Sequence, residues 1–283
     1  MTQLIEPLSG LTAGLVSTLA VHPFDVIKTR MQLGHNPNTW TTTRDILTES
    51  HGLGNVVRNL YRGIAPNLLG NSVSWGLYFL FYARVKDGLA SYRHGRLTTG
   101  DFFVSSAVAG LLTSALTNPI WVLKTRILST SRDTPGAYAS MMQGARVIYS
   151  REGVRGFYRG LVPSLFGVAH GAVQFVLYER FKEFMARHGE VLGNMEILTA
   201  SAASKIFASA ATYPYQVIRA RLQAYDAERH YTTMGEVVRK VWRQRGLRGF
   251  YAGLVPSFVR VLPSTCVTFL VYENTRYYLH VLR

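Results

Sequence analysis

The sequence predicts an all-α membrane protein: six transmembrane helices, in three pseudo-threefold tandem repeats, form a barrel that carries short amphipathic helices on one side. Three observations lead to this prediction. A proline-led octapeptide recurs three times at nearly equal spacing, a glycine-ended signature follows each copy, and long stretches without formal charge lie between them. An internal repeat of this length sets the architecture before local patterns do.

The octapeptide occupies Pro23–Arg30, Pro119–Arg126 and Pro214–Arg221. In each copy a basic residue stands five and again seven positions after the proline. The prolines fall within the first apolar stretch of each repeat. They should kink those helices, because proline removes a backbone hydrogen bond and clashes with the preceding turn.

The second signature lies further along each copy, as Tyr61–Gly63, Glu152–Gly160 and Gly246–Gly253. Each terminal glycine is followed three residues later by a proline. One such string would be weak evidence, but six strings in register make chance a remote explanation. We therefore divide the chain into repeats at 1–94, 95–190 and 191–283.

Composition narrows the class of protein. Charged residues are only 17% and apolar residues 48% of the 283 positions, which is low in charge for a soluble chain of this size. The net charge of +15 would suit nucleic acid, but the bases recur beside apolar segments rather than in one arm. We expect anionic lipid and an anionic solute as partners, and no nucleic acid. The single cysteine, Cys266, excludes an internal disulfide, and no secretory signal is expected.

Six stretches have the length of a membrane-spanning helix, which needs roughly 20 mostly apolar residues. Four carry no formal charge, and those of the third repeat are interrupted by Lys205 and Arg260. The stretches are Pro7–Phe24, Ile64–Ala83, Phe102–Leu123, Gly160–Tyr178, Ile197–Ile218 and Leu254–Tyr272. Two spans per repeat preserve orientation, so both ends of the chain should face one side of the membrane.

Polar segments separate the two spans of each repeat, at Thr41–Ser50, Tyr138–Arg151 and Tyr231–Arg245. Each mixes apolar and charged residues at helical spacing. This pattern predicts a short amphipathic helix at the membrane surface.

With these motifs, the sequence resembles the mitochondrial carrier family over essentially its whole length. The resemblance implies a transporter without a cofactor, rather than an enzyme. It also implies a monomer in the mitochondrial inner membrane, with amphipathic helices facing the matrix and termini facing the intermembrane space. The turns before the second span of each repeat would bind cardiolipin phosphates at helix N-termini, and plain helix-start turns are the alternative. Four extra residues between Gly52 and Tyr61 make cardiolipin least expected in the first repeat.

The resemblance assigns a matrix gate to the ends of the odd-numbered spans: Asp25, Lys28, Lys124, Arg219, Gln32 and Gln223. Asp25 is the only acid, because Trp121 and Gln216 stand at the other two acidic positions. By family pairing we expect Asp25 to bind Arg219 and the other two bases to have no carboxylate. One partly exposed ion pair would make a weak gate. The two glutamines are expected to brace the network.

A second set of charges, the cytoplasmic gate, lies at the other ends of the even-numbered spans: Lys86, Glu179, Lys182, Glu273 and Arg276. The resemblance implies that Glu179 pairs with Arg276 and that Glu273 pairs with Lys86. Interfacial charges beside an aromatic belt are the alternative. Opening the two gates in turn gives alternating access to a central site.

A threefold barrel must break its symmetry where it contacts an asymmetric solute. Lys205 and Arg260 each replace a glycine that stands at the matching position of both sister repeats. A cation inside a membrane span is costly and is a functional candidate. Lys205 shares a helical stripe with Thr212 and Gln216 that faces the gate. We interpret Lys205 and Arg260 as an anion-binding pair, and snorkelling of Lys205 to the interface is the alternative.

The family's mid-membrane contact points and their neighbours supply the other candidate substrate-binding residues: Gly70, Asn71, Gly167, Val168, Trp75, Tyr78, His170, Gln174, Trp121 and Gln216. Gly167 followed by Val168 resembles carriers of adenine nucleotides, in which open backbone lets a purine lie against the helix. Helix packing is the alternative explanation of the glycines. His170 has no partner ligands at metal spacing, so we expect no metal site.

Four strings sharpen the resemblance to the FAD/folate transporter subgroup: Ser74–Phe79, Thr117–Trp121, His170–Phe175 and Tyr213–Gln216. The favoured substrate is therefore FAD, a small anionic dinucleotide, as transported solute and not as cofactor. Its pyrophosphate would suit Lys205 and Arg260. Folate, NAD or another nucleotide are the alternatives. A membrane flavoprotein is a distant one, since no glycine-rich dinucleotide fingerprint follows a strand pattern.

Overall fold

The computed structural model describes residues 2–34, 38–48, 52–94, 96–130, 136–186 and 193–281, and every regular element in these ranges is an α-helix. The elements are α1 (Thr2–Gln32), α2 (Thr39–Thr48), α3 (Leu53–Leu60), α4 (Ile64–Tyr92), α5 (Thr99–Leu128), α6 (Met141–Phe157), α7 (Leu161–Met185), α8 (Asn194–Gln223), α9 (Ala227–His230), α10 (Met234–Gly249), α11 (Leu254–Val259) and α12 (Val261–Val281). The prediction of an all-α chain is thus confirmed within the described ranges.

The six long segments are α1, α4, α5, α7, α8 and the pair α11 and α12. Each segment extends beyond the apolar stretch that predicted it. The three octapeptides are helical throughout, and Pro119 and Pro214 lie inside α5 and α8. Among the described residues, three helices are long and apolar enough to cross a membrane by length and composition: Thr99–Leu128, Leu161–Met185 and Leu254–Tyr278.

The last long segment is interrupted at Arg260, between α11 and α12. Pro263 has no N–H to donate to the carbonyl of Val259, so one helical hydrogen bond is missing at this turn. The bonds on either side remain, from Arg260 N to Pro256 O and from Ser264 N to Arg260 O, both 3.1 Å. Arg260 keeps helical backbone angles, so the chain continues in the same direction through a weakened turn.

The long helices pack in a ring that follows chain order. The most extensive contacts join consecutive repeats, α4 with α5 and α7 with α8, and α12 packs against α1. Contacts between α1 and α4, between α5 and α7, and between α8 and α11 complete the ring within each repeat. The first repeat therefore packs on the second, the second on the third, and the third on the first.

Each glycine-ended signature is the start of a repeat's second long segment. Gly63, Gly160 and Gly253 precede α4, α7 and α11 with left-handed φ angles of 74°, 70° and 84°. Glycine adopts this conformation without a steric penalty. A Cβ atom would also lie 2.1 Å from Leu128 Cδ1 at Gly63 and 2.9 Å from the Lys28 carbonyl oxygen at Gly253. The signature thus marks where one repeat contacts the octapeptide helix of the next.

The short helices α2, α6 and α10 lie in the predicted amphipathic segments. The hydroxyl of Ser140 accepts a hydrogen bond from Gln143 N (3.2 Å) and caps α6, which is why that helix begins after Tyr138. Residues 49 and 50 of the predicted segment Thr41–Ser50 lie outside the described residues. In the first repeat, the four extra residues lengthen the turn after Gly52 into the separate helix α3.

We expect Gly253→Ala to destabilise the protein by about 1–3 kcal/mol, because the new Cβ meets the Lys28 backbone at a positive φ angle. Gly76→Ala is the matched control: Gly76 lies inside α4 and a Cβ there meets nothing within 4 Å. The control should be neutral or stabilising by about 0.5–1 kcal/mol. Thermal unfolding of the purified protein measures both, and equal melting temperatures would contradict the assignment of the turn.

Candidate functional site

The three octapeptide helices converge at their proline ends, where the side chains two and five positions after each proline meet. We call these six residues the proline-end layer: Asp25, Lys28, Trp121, Lys124, Gln216 and Arg219. They form three contacts between α1, α5 and α8, and each contact has a different chemistry. The layer therefore joins all three repeats.

Asp25 is the centre of the layer. Its carboxylate forms ion pairs with Lys124 (3.6 Å) and with Arg260, and it accepts a hydrogen bond from Asn67 Nδ2 (3.3 Å). Lys124 also donates to Asn67 Oδ1 at 2.7 Å. With Asp25 only 7% exposed, these partners replace the water that a buried carboxylate loses.

The expected pairing of Asp25 with Arg219 is wrong. The carboxylate binds Lys124 of the second repeat, and the Arg219 guanidinium lies 5.9 Å from the ring centroid of Trp121 instead. The physical reason is the direction of convergence: the second position after each proline faces the base of the following repeat, not of the preceding one. Helical spacing puts the two positions on one face but does not say which neighbour that face meets.

Trp121 takes the place of a missing acid by cation–π contact, which the sequence interpretation overlooked. The ring lies 5.1 Å from Lys124 Nζ and 5.9 Å from Arg219 Cζ. Such contacts stabilise a cation without a carboxylate. The third contact is a hydrogen bond, from Lys28 Nζ to Gln216 Oε1 at 3.0 Å. The sequence did contain a signal for both contacts, because Trp121 and Gln216 stand at motif positions where an acid was expected.

The two glutamines assigned to the matrix gate each join two repeats just beyond the layer. Gln32 donates to the hydroxyl of Tyr213 at 3.2 Å, which links α1 to α8. Gln223 donates to Asn118 Oδ1 and accepts from Thr125 Oγ1, both at 3.3 Å, which links α8 to α5.

A cavity of about 970 Å³ extends from the layer along α1 towards its N-terminus, between α1, α4 and α12. Its floor contains Asp25 and Lys124. Four of the predicted substrate-binding residues line it: Asn71, Trp75, Trp121 and Arg260. Two cations and one carboxylate leave the floor with a net positive charge, which favours an anionic ligand.

One wall of the cavity is aromatic. The rings of Trp75 and Phe79 stack with centroids 5.7 Å apart and an interplanar angle of 24°, and both rings are more than half exposed. Tyr78 instead shares a hydrogen bond with Ser106 at 2.9 Å. Phe79 was not predicted as a site residue, although its position four residues after Trp75 places both on one face of α4.

Gly70 and Gly167 do not line this cavity. A Cβ atom on Gly70 would lie 3.2 Å from Ile120 Cγ2, and one on Gly167 would lie 3.3 Å from the hydroxyl of Tyr215. Close contact with the next repeat accounts for these glycines, as the packing alternative expected. Val168 contacts α5 of its own repeat, where a Cβ atom on Gly110 would lie 3.2 Å from Val168 Cγ2.

Lys205 and Arg260 do not share one pocket in this structure. Arg260 is paired with Asp25 on the cavity floor, while Lys205 is exposed on α8 and is not among the residues that line the cavity. Two residues of the stripe predicted for Lys205 contact neighbouring helices: Thr212 contacts His170 of α7 (2.8 Å), and Gln216 contacts Lys28 of α1. Gln174 is half-buried on α7, outside the lining of the cavity.

The predicted cytoplasmic gate, at the ends of α4, α7 and α12 that lie far from the proline-end layer, does not link these helices in the described part of the chain. Glu179 pairs with Lys182 of its own helix at 3.2 Å, and Glu273 and Arg276 are exposed. Within the described part of the chain, neither the expected Glu179–Arg276 pair nor the Glu273–Lys86 pair forms. The layer is thus connected at the proline end, and the predicted second layer is open in this conformation.

A buried ion pair attaches α6 to α5 beyond the layer. Arg126 bonds both carboxylate oxygens of Glu152, with Nη2 to Oε2 at 2.8 Å, and Arg159 lies 3.4 Å from the same carboxylate. Burial alone raises the pKa of Glu152, but the hydrogen bonds and charge of Arg126 outweigh it, so the pKa lies below its ordinary value.

The fold and site together define a class of protein: a helical membrane protein of three repeats that encloses a central cavity with a cationic floor. The chain belongs to the mitochondrial carrier family. The family model, described as mitochondrial carrier protein, matches three times, over residues 2–93, 95–189 and 191–281. Members of this family are transporters, so the chain is a transporter and not an enzyme.

Three relatives of the chain are named as transporters of FAD, nicotinamide adenine dinucleotide and folate. The chain is 35% identical to the mitochondrial FAD carrier protein FLX1 of Saccharomyces cerevisiae, over 96% of each chain. It is 38% identical to the mitochondrial nicotinamide adenine dinucleotide transporter 2 of Arabidopsis thaliana, over 94% of this chain and 77% of the relative. It is 36% identical to the chloroplastic folate transporter 1 of the same plant, over 94% of this chain and 92% of the relative. The yeast relative is named for FAD as its transported solute, so similarity to it does not imply that FAD is a bound cofactor.

We expect Asp25→Asn to change the initial rate of solute uptake more than Glu179→Gln does. Asp25 pairs with two cations, Lys124 of the layer and Arg260, whereas Glu179 pairs only within its own helix at a side-chain exposure of 41%. Uptake of FAD, NAD and folate into proteoliposomes measures both variants. Equal and mild effects on all three solutes would count against the role of the layer.

Glu152→Gln should lower the free energy of unfolding at neutral pH by about 3 kcal/mol, because it leaves Arg126 buried without its partner. The lowered pKa of Glu152 means that its contribution is present above the ordinary value of about 4.3 and is lost as the pH falls through the folded value. The two proteins should therefore converge in acid. Glu183→Gln is the control, since its pair with Arg180 is exposed and contributes little. A constant difference between Glu152→Gln and the native protein from pH 7 into acid would contradict this account.

Proposed function

We propose that this protein carries FAD across the mitochondrial inner membrane by alternating access around the central cavity. The observation that carries the proposal is the combination, in one cavity, of a cationic floor at Arg260 and Lys124 with an aromatic wall at Trp75 and Phe79. FAD combines a pyrophosphate with two planar ring systems. The 35% identity with a yeast FAD carrier supports the same solute.

The parts of FAD match the parts of the site. The pyrophosphate binds Arg260, whose planar guanidinium suits two phosphate oxygens. Lys205 lies outside the lining of the cavity in this conformation, so it contributes its charge from α8 only when the helices move around the bound solute. The isoalloxazine ring stacks on Trp75 and Phe79. The adenine lies towards α7, on the side of His170. Folate, NAD and other nucleotides are the alternative solutes, and a membrane flavoprotein is a distant alternative that the family membership disfavours.

Arg260 links solute binding to the proline-end layer. A phosphate that binds Arg260 competes with Asp25, so Asp25 keeps only Lys124 as an ionic partner. The other two contacts of the layer are a cation–π contact and a neutral acceptor, each weaker than a buried ion pair. Solute binding thus lowers the free energy needed to separate the repeats at this end.

The proposal includes the arrangement in the membrane. The six long segments span it as a barrel, with repeats at 1–94, 95–190 and 191–283. Helices α2, α6 and α10 face the matrix, and the chain termini face the intermembrane space. The packing of α12 on α1 closes the ring without a second copy, which supports a monomer. Cardiolipin phosphates bind the N-termini of α7 and α11, where free N–H groups and the helix dipole favour anions, and the insertion before α4 makes the first repeat the least expected site.

The test of the function is uptake of radiolabelled FAD, folate and NAD into proteoliposomes that contain the purified protein. FAD uptake at least about tenfold faster than uptake of the other two is the expected result. Liposomes without protein, and liposomes with Asp25→Asn, are the controls. Faster uptake of folate or NAD would assign that solute in place of FAD.

Lys205→Ala and Arg260→Ala should each weaken FAD transport about ten- to a hundredfold, because a charge-assisted contact contributes about 1.5–3 kcal/mol and each decade is 1.4 kcal/mol. The double variant should lose less than the sum, since both residues act on one pyrophosphate. Riboflavin, which has no phosphate, should compete only weakly with FAD, and neither substitution should change that competition. Arg180→Ala, an exposed cation on α7, is the control. Normal FAD transport by both folded variants would place the anion site elsewhere.

A further inference from the structure

The hydrogen bond by which a glutamine joins two repeats is missing between the first repeat and the second. Gln32 stands nine positions after its proline and donates to Tyr213, the residue before the proline of the third repeat. Gln223 stands at the same position of the third repeat and donates to Asn118, the residue before the proline of the second. The second repeat has Leu128 there, buried in an apolar cluster with residues of α1. A leucine side chain donates no hydrogen bond, so the boundary between the first two repeats lacks this contact.

The residue before the first proline, His22, bonds within its own repeat instead. Its ring is completely buried, and Nε2 lies 2.8 Å from the carbonyl oxygen of Arg62. A carbonyl oxygen only accepts, so the ring hydrogen is on Nε2 and Nδ1 has a lone pair. That lone pair accepts a hydrogen bond from Asn67 Nδ2 at 3.1 Å. The histidine therefore determines which way the Asn67 amide points.

The Asn67 amide uses both of its hydrogens and both of its acceptor positions. Its second Nδ2 hydrogen is donated to Asp25 Oδ2 at 3.3 Å. Its Oδ1 accepts from Lys124 Nζ at 2.7 Å and from Asn71 Nδ2 at 3.3 Å. Reversing the amide would turn its oxygen towards the Asp25 carboxylate and break the bond to His22. One residue of α4, only 1% exposed, thus holds both members of the ion pair between the first two repeats.

Asn67 differs from its counterparts in the other repeats. Four residues after the repeated glycine, those repeats have Ser164 and Ser257. The Ser164 hydroxyl contacts groups of its own repeat, the Gly160 carbonyl oxygen (2.6 Å) and Asn118 Oδ1 (3.4 Å). The longer amide side chain therefore stands at the boundary that lacks the glutamine.

We propose that Asn67 is a positioning residue that takes the place of the missing glutamine and keeps the proline end closed between the first and second repeats. It orients Asp25 towards Lys124, and these bonds break when the two repeats separate. Asn71 lines the central cavity, so a solute that binds the Asn71 amide competes with one of the four bonds of Asn67. The proposal rests on the alternating access proposed above, but not on FAD as the solute.

The first test is a double-mutant cycle in thermal unfolding of the purified full-length protein. Asn67→Ser introduces the residue of the sister repeats and should lower the unfolding temperature by about 2–4 °C. In the Asp25→Asn background the same change should have at most about half this effect, because the pair that Asn67 holds is already lost. Lys124→Met takes the place of Asp25→Asn if that variant does not fold. Equal shifts in both backgrounds would show that Asn67 does not act through the ion pair.

The matched control for the cycle is Asn274→Ser. Asn274 is exposed, and its amide donates to the Leu270 carbonyl of its own helix at 2.7 Å. This variant should unfold at the native temperature in both backgrounds. A shift equal to that of Asn67→Ser would contradict a special role for Asn67.

Uptake into proteoliposomes separates positioning from a general loss of folded protein. The solute is radiolabelled FAD, or NAD or folate if the native protein carries that instead, and protease digestion determines the orientation of the protein. For uptake from the side opposite the proline end, Asn67→Ser should raise the half-saturating concentration at least about threefold, because the conformation open to that side is less populated. The maximal rate should not fall. A lower maximal rate with unchanged half-saturation would mean that Asn67 only supports the fold.

Restoring the glutamine contact supplies the rescue. The triple variant His22→Asn, Asn67→Ser, Leu128→Gln gives this boundary the residues found between the second repeat and the third. The amide should fit, because Leu128 and Gln223 each lie against the repeated glycine of the preceding repeat. The triple variant should recover most of the unfolding temperature and half-saturating concentration that Asn67→Ser alters. A folded triple variant without recovery would overturn the proposal. If the native protein carries none of the three solutes, the proposed function fails, and the unfolding cycle still decides the role of Asn67.

Discussion

The rest of the structure depends on the contact of one carboxylate, Asp25, with two cations at the point where the three octapeptide helices converge. Lys124 comes from the second repeat and Arg260 from the third, so a single side chain joins all three repeats. A buried carboxylate is tolerated only with such partners, and each partner would be costly without it. The Asp25 and Lys124 side chains therefore belong both to the cavity floor and to the closed proline end.

Threefold symmetry and its loss have separate roles in this chain. The glycine turns and the bases five positions after the prolines occur in all three repeats, and they contact the neighbouring repeat in the same way. The partners of those bases differ: a carboxylate, an indole ring and an amide oxygen. The ion pair is stronger than the other two contacts, so separating the first repeat from the second at the proline end costs more free energy than separating either from the third.

The repeats also differ in charge where the short helices α6 and α10 meet the octapeptide helices. The second repeat fixes its short helix with the Arg126–Glu152 ion pair, and the third places Arg245 where that carboxylate would stand. The third repeat therefore has Arg221 and Arg245 at these two positions, and among the described residues neither has a carboxylate partner. The three repeats share a backbone while each carries its own electrostatics.

The sequence by itself determined the helical class, the three repeats and the turns at the repeated glycines, because each follows from spacing along one chain. The resemblance of the sequence to a known family singled out the charged residues of the proline-end layer. Only the tertiary structure decided that Asp25 meets Lys124 and Arg260 rather than Arg219. It also decided that Phe79 joins Trp75 at the cavity, and that Gly70 and Gly167 are packing positions. The reason is physical: helical periodicity fixes which side chains share a face, whereas the neighbour that this face meets depends on how the helices close into a ring.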